Sequence, residues 1–212
     1  MTSKGTLSAD AALDRLREGN RRFVASARDR DLDWEHARRL DLQREQWPFA
    51  IVLGCSDSRV PLEMIFDQGL GDLFVIRVAG NIIAPSLIGS IEFAAAKFGT
   101  RLVVVLGHSN CGVVLSTIEE IGLAPGSQSP NLKAIVDRIR PHVEDVLANA
   151  EEASDSPDVV SAAVRANIAA SVAELRAGSA ILTELMANDG LQILGAEYSL
   201  ETGVVTFLGD AD

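Results

Sequence analysis

The chain has 212 residues, 47% of them apolar and 23% charged, with a formal net charge of −11. This length suits one domain with a sizeable core, or at most two small domains. The acidic balance argues against a nucleic-acid partner, which needs a basic face. No apolar run approaches the ~18 residues of a membrane span.

The opening stretch, MTSKGTLSADAALDRL, lacks the apolar core of a secretion signal, so a cytoplasmic protein is expected. Residues 8–25 place Ala12, Leu13, Leu16, Phe23 and Val24 at helical spacing. A second, heavily charged helix is expected over 33–45. It carries His36 among mixed charges, which suggests a solvated or partner-facing surface.

The texture then changes. FAIVLG (49–54), LFVIRV (73–78) and LVVVLG (102–107) are apolar, β-branched and without polar alternation. Such runs suit parallel strands buried on both faces. APSLIGSIEFAAAKFG (84–99) lies between the last two, opened by Pro85 and stopped by Gly99, and completes a β-α-β unit. LAPGSQSP (123–130) is the clearest internal loop. Residues 130–150 and 157–188 are Ala- and Glu-rich helices, with His142 at a break marked by Pro141. QILGAEY (192–198) and GVVTFL (203–208) read as a hairpin adding an antiparallel edge. The expected fold is one α/β domain, 1–212, with a mostly parallel central sheet of four to five strands flanked by helices. Residues 1–45 form a helical arm and 46–212 the α/β core.

The only two cysteines fall in CSDSRV (55–60) and GHSNCG (107–112). Cys55 and His108 each follow an expected parallel strand directly, at the sheet edge where sites form in open α/β folds. Cys111 lies three residues after His108, so a short turn can aim both at one point. Two cysteines and one histidine make three ligands with a fourth position open, a catalytic rather than a structural zinc arrangement. Sulfur and imidazole donors favour zinc over magnesium or calcium. Two thiolates cancel the charge of the ion, so bound water is acidified less than at a site of three neutral histidines. Asp57 is close enough in sequence to become a fourth ligand or to contact metal-bound water. Arg59 can hold it away through a bidentate pair.

Other readings are weaker. A disulfide is uncommon in the cytoplasm, and a core of this size does not need one. A Cys-His nucleophile pair would leave one cysteine idle. GHSNCG is one residue too long for the nucleophile elbow of a serine hydrolase. QGLGDLF precedes a strand instead of following one, which argues against dinucleotide binding.

CSDSRV and GHSNCG, some fifty residues apart, resemble the β-class carbonic anhydrases. The resemblance extends to REGNRRF (17–23), FDQGLGDLFVIRVAGN (66–81), SIEFAAAKFG (90–99) and GAEYSLETGVV (195–205). It implies zinc on Cys55, His108 and Cys111, and a dyad of Asp57 and Arg59 that orients or gates the metal site. The implied reaction is reversible hydration of CO2 to bicarbonate and a proton, by attack of zinc-bound hydroxide. Gln46, Phe74 and Gly112 stand where the family contacts substrate. The resemblance also implies a homo-oligomer, a dimer or dimer of dimers, with the cleft at the dimer interface and the arm wrapped on the partner. Val52 stands where some bacterial members carry a Trp lining a noncatalytic bicarbonate pocket, to which Arg77 and Tyr198 are candidate neighbours. The alternatives are a zinc enzyme acting on another heterocumulene such as CS2, and a noncatalytic zinc protein in which Asp57 stays on the metal.

Overall fold

A computed structural model describes residues 7–26, 42–43, 45–121, 129–151 and 153–209. Most of the helix expected over 33–45, with His36, and most of the loop at 123–130 lie outside the described residues. Among the described residues five strands form one sheet: β1 (Ala50–Cys55), β2 (Leu73–Val78), β3 (Leu102–His108), β4 (Gln192–Tyr198) and β5 (Val205–Leu208). Their spatial order is β2-β1-β3-β4-β5. The first four are parallel to their neighbours, and only β5 is antiparallel, closing a hairpin with β4.

β1 and β3 are buried at every position. Their pleat splits each strand between two cores. Ile51, Leu53, Val103 and Val105 face one side, against α3 (Pro85–Phe98), α4 (Gly112–Ile121), α5 (Pro130–Ala148), α6 (Pro157–Gly178) and α7 (Ala180–Asn188). Val52, Val104 and Leu106 face the other, against α1 (Ala9–Val24) and the short α2 (Leu62–Ile65). No helix among the described residues is long and apolar enough to cross a membrane.

Three sequence expectations change. LFVIRV is the sheet edge, and its exposure pattern is that of a half-covered strand with Arg77 turned outward. An edge strand needs only one apolar face, yet its composition matches the central strands. Pro141 does not break α5, which runs through it with His142 half-buried. The hydrogen bond that proline removes would end on the carbonyl of exposed Asp137, where water can replace it. The stretch 157–188 is two helices. Ser179 adopts an extended backbone between them, caps α7 by accepting from the Leu182 N–H, and donates to Glu92.

The REGNRRF stretch docks α1 against the sheet. A Cβ on Gly19 would sit 1.8 Å from the Phe66 carbonyl oxygen, so only glycine allows this approach. Next to it, buried Asn20 donates to the carbonyls of Ile65 and Gly203 and accepts from the Val205 N–H. One side chain thus joins α1, the end of α2 and the β4–β5 turn. Gly19→Ala is expected to cost at least about 2 kcal/mol by forcing α1 outward. Asn20→Ala should cost about 3 kcal/mol by leaving buried backbone groups unpaired. Urea unfolding with an unchanged slope and a lower midpoint checks both.

Candidate metal centre and active site

The strand order places the site. After β1 the chain moves outward to β2, and after β3 it moves the opposite way through α4–α7 to β4. The loops leaving β1 and β3 therefore part and open a crevice at their carboxyl ends, the switch point of the sheet. Cys55 ends β1, and His108 ends β3. The turn after His108 is completed by Asn110 at φ 52°, a left-handed conformation that Asn tolerates better than most residues. It brings Cys111 back to the crevice at the start of α4. The turn is anchored from β4: the Ser109 N–H donates to the Tyr198 carbonyl, and Ser109 Oγ accepts from the Leu200 N–H.

One ligand atom each from Cys55, His108 and Cys111 lies within 4.8 Å of the others. All three residues are buried, and both cysteines are free. His108 Nδ1 faces the Ser109 carbonyl at 3.0 Å, the geometry that leaves the Nε2 lone pair available. Nε2 is buried and has no hydrogen-bond partner among the described residues. The sulfurs also ask for a cation. The Cys55 thiol is lowered to about 4, chiefly because Cys111 donates to it; burial opposes this, while His108 and the N–H groups of Gly80 and Asp57 assist. Cys111 is pushed up by holding that proton, despite the N–H groups of Val113 and Val114 at the start of α4. An ion binding all three donors replaces the shared proton and satisfies the orphaned Nε2. Two sulfurs and one imidazole nitrogen fit a soft or borderline metal.

Asp57 lies beside this cluster. Its Oδ2 is 3.8 Å from His108 Nε2 and 2.7 Å from an Arg59 Nη, while Oδ1 accepts from Arg59 Nε and backbone N, each at 2.9 Å. Arg59 also donates to the Asn110 carbonyl at 3.2 Å, tying the β1 loop to the β3 loop. The Arg59 guanidinium holds the Asp57 carboxyl well below the usual carboxylate range. The carboxylate therefore stays ionised through neutral pH. The stability it gains by pairing is present above the unfolded carboxyl pKa of about 4 and is lost only in stronger acid.

Gly112 opens α4, and no described residue outside its own helix backbone and chain neighbours comes within 4 Å of the position its Cβ would take. Gln46 and Phe74 are not brought to this cluster. Gln46 precedes β1, at the far end of the sheet, in an open groove of about 920 Å³ that it lines with Trp47, Leu70, Gly71, Lys97 and Phe98. Phe74 pairs with Ile51 early in the strands and packs on Phe93 and Phe98. Val52 is buried in the core facing α1 and α2, and Tyr198 packs on Phe23. His142 lines a groove between α5 and α6.

Sequence reasoning missed the outer support. Gly80, at φ 74° in a 3-10 turn after β2 (Ala79–Asn81), donates its N–H to Cys55 Sγ at 3.4 Å. The turn is held from α6, where buried Asn167 donates to the Gly80 carbonyl at 2.8 Å and Ser171 to the Asn81 carbonyl at 3.1 Å. The VAGN stretch was visible as part of the resemblance. An Asn and a Ser within an Ala-rich helix gave no signal of their own.

An α/β sheet with a Cys-His-Cys cluster at its switch point and a carboxylate-arginine pair beside it has the donors of a metal-dependent enzyme. The family model described as carbonic anhydrase matches residues 50–205. The chain belongs to the β-class carbonic anhydrases, a family of lyases. It is 38% identical over 199 residues to carbonic anhydrase 2 of Mycobacterium tuberculosis, covering 91% of this chain and 89% of that protein. It is 37% identical over 205 residues to a carbonic anhydrase of Mycolicibacterium smegmatis, covering 94% and 95%. Its fold superposes on the β-carbonic anhydrase CafA of Aspergillus fumigatus with a TM-score of 0.73 at 28% identity, covering 96% of this chain and 91% of that one. A tetrameric β-carbonic anhydrase of Sordaria macrospora gives 0.70 at 25% identity, covering 84% and 92%.

Proposed function

We propose that Cys55, His108 and Cys111 hold a catalytic zinc ion, and that the protein uses it to interconvert CO2 with bicarbonate and a proton. The observation that carries this reading is the buried triad of two sulfurs and an orphaned imidazole nitrogen, with Asp57 held beside it. Zinc bound there would supply a water that loses its proton far more readily than bulk water does.

The rest falls to side chains. Asp57 accepts a hydrogen bond from the reacting water and so fixes which lone pair faces the substrate. Arg59 holds Asp57 in that role with two parallel bonds. Without Arg59 the carboxylate, 3.8 Å from Nε2, is poised to take the open coordination position itself and shut out water. The Gly112 N–H, at the open start of α4, would orient substrate. The reading takes 46–212 as one catalytic core and 1–45 as its arm, in the cytoplasm.

Gln46 and Phe74 enter through a second copy. β1 alone separates Gln46 from the Cys55 of its own chain by roughly 17 Å, at about 3.3 Å per residue. Each chain would thus lend these residues to its partner's cleft in a homodimer, or a dimer of such dimers. Exposed Trp47, Leu70 and Phe93 near them supply the apolar surface such contact needs.

Stopped-flow hydration of CO2 by the zinc-loaded protein, with CS2 hydrolysis measured alongside, tests the proposal. CO2 turnover should rise with pH, as the water gives up its proton and Asp57 stays off the metal, and CS2 turnover should be negligible. CS2 turnover without CO2 hydration would replace the substrate. Bound zinc with neither activity would mark a noncatalytic zinc protein.

A further inference from the structure

Arg77 stands opposite Gly54 in the β1–β2 register, one step before Cys55. Its side chain reaches over the loop that leaves β1. Nε donates to the Cys55 carbonyl at 3.0 Å, and an Nη donates to the Asp57 carbonyl at 2.7 Å. Between these two residues, the Ser56 N–H is bound to the Val78 carbonyl at 3.1 Å. One guanidinium therefore spans a metal-facing cysteine and the carboxylate beside it, and β2 pins the residue between them.

Asp57 is thus held by two arginines on two different groups. Arg59 takes the carboxylate; Arg77 takes the backbone. Any turn of Asp57 toward the cluster that moves its backbone must break the Arg77 bond to its carbonyl. A planar fork with fixed donors can bridge two carbonyls in this way, and a single flexible ammonium does so poorly.

We propose that Arg77 is a positioning residue: by clamping the carbonyls of Cys55 and Asp57 it keeps the Asp57 carboxylate on Arg59 and off the metal position. This rests on the metal reading given above. Arg77 is exposed, so its replacement removes the clamp without opening the core.

The test uses the full chain loaded with cobalt(II) in place of zinc, titrated with azide and followed by the visible cobalt spectrum. Azide binds only if the fourth position is open. Arg77→Gln and Arg77→Lys should both take up one metal per chain. Each should bind azide about tenfold more weakly than the parent, and in CO2 hydration kcat should fall with little change in KM. The lysine variant separates the clamp from simple charge, since it keeps the cation and loses the fork. An Arg77→Lys protein with parental azide affinity and kcat overturns the proposal, as does an Arg77→Gln protein unchanged in both. A parent that takes up no cobalt fails at the metal reading instead, before Arg77 is in question.

Discussion

Cys111→Ser is expected to give a folded protein that has lost its zinc and its CO2 hydration. The separation of folding from metal binding comes from where Cys111 sits. It precedes α4 and supplies the carbonyl for the first helical bond, from the Leu115 N–H at 3.0 Å. Serine is among the best residues at such a position, so the start of α4 should survive. The metal does not. Outer-sphere changes already cost 10–100-fold in metal affinity, and here one of three donors goes. The zinc dissociation constant should rise by more than about 100-fold, read by competition with a chromophoric chelator, while the circular dichroism matches that of the metal-free parent. Cys55→Ser should behave alike. Zinc retained at parental affinity in either variant would remove that residue from the ligand set.

Asp57→Asn should do the reverse, keeping one zinc per chain while kcat falls by about 100-fold or more. Asparagine preserves the volume and one acceptor oxygen, so the loop and its contact with Arg59 can persist. It exchanges the other carboxylate oxygen for a donor, and the hydrogen bond proposed to orient the reacting water would lose its acceptor. Because Arg59 keeps the Asp57 carboxyl ionised through neutral pH, a fall in activity on mild acidification is not protonation of Asp57. The pH dependence should therefore persist in Asp57→Asn at a lower ceiling. A rate equal to that of the parent would remove Asp57 from the mechanism.

Much of this was legible because the fold writes its strands plainly. β1 and β3 are covered on both faces, so they appear as unbroken apolar runs, and Cys55 and His108 end them. That coincidence marks one edge of the sheet, and the two- and four-residue offsets of Asp57 and Arg59 from Cys55 supply the rest of the cluster. Lateral position was not legible. LFVIRV has the composition of a central strand and is the edge, because burial of its outer face is decided by what lies beside the chain and not within it. The offset of Gln46 from Cys55 likewise says nothing of distance. Nine positions before a ligand is near in sequence, but an extended strand turns that into the length of the sheet. The support of the site by Asn167, Ser171 and Arg77 depends on tertiary contacts between segments 20 to 90 residues apart. A single sequence carries no pattern for such pairs.

The most direct measurement of the central claim is the CO2 hydration rate of metal-free protein as zinc is added back, followed by stopped flow at alkaline pH. The rate should start at the buffer background, climb in proportion to zinc, and break sharply at one zinc per chain. Hydration by the metal-free protein, or a background rate with one zinc bound, would contradict the assignment of this site as the seat of the reaction.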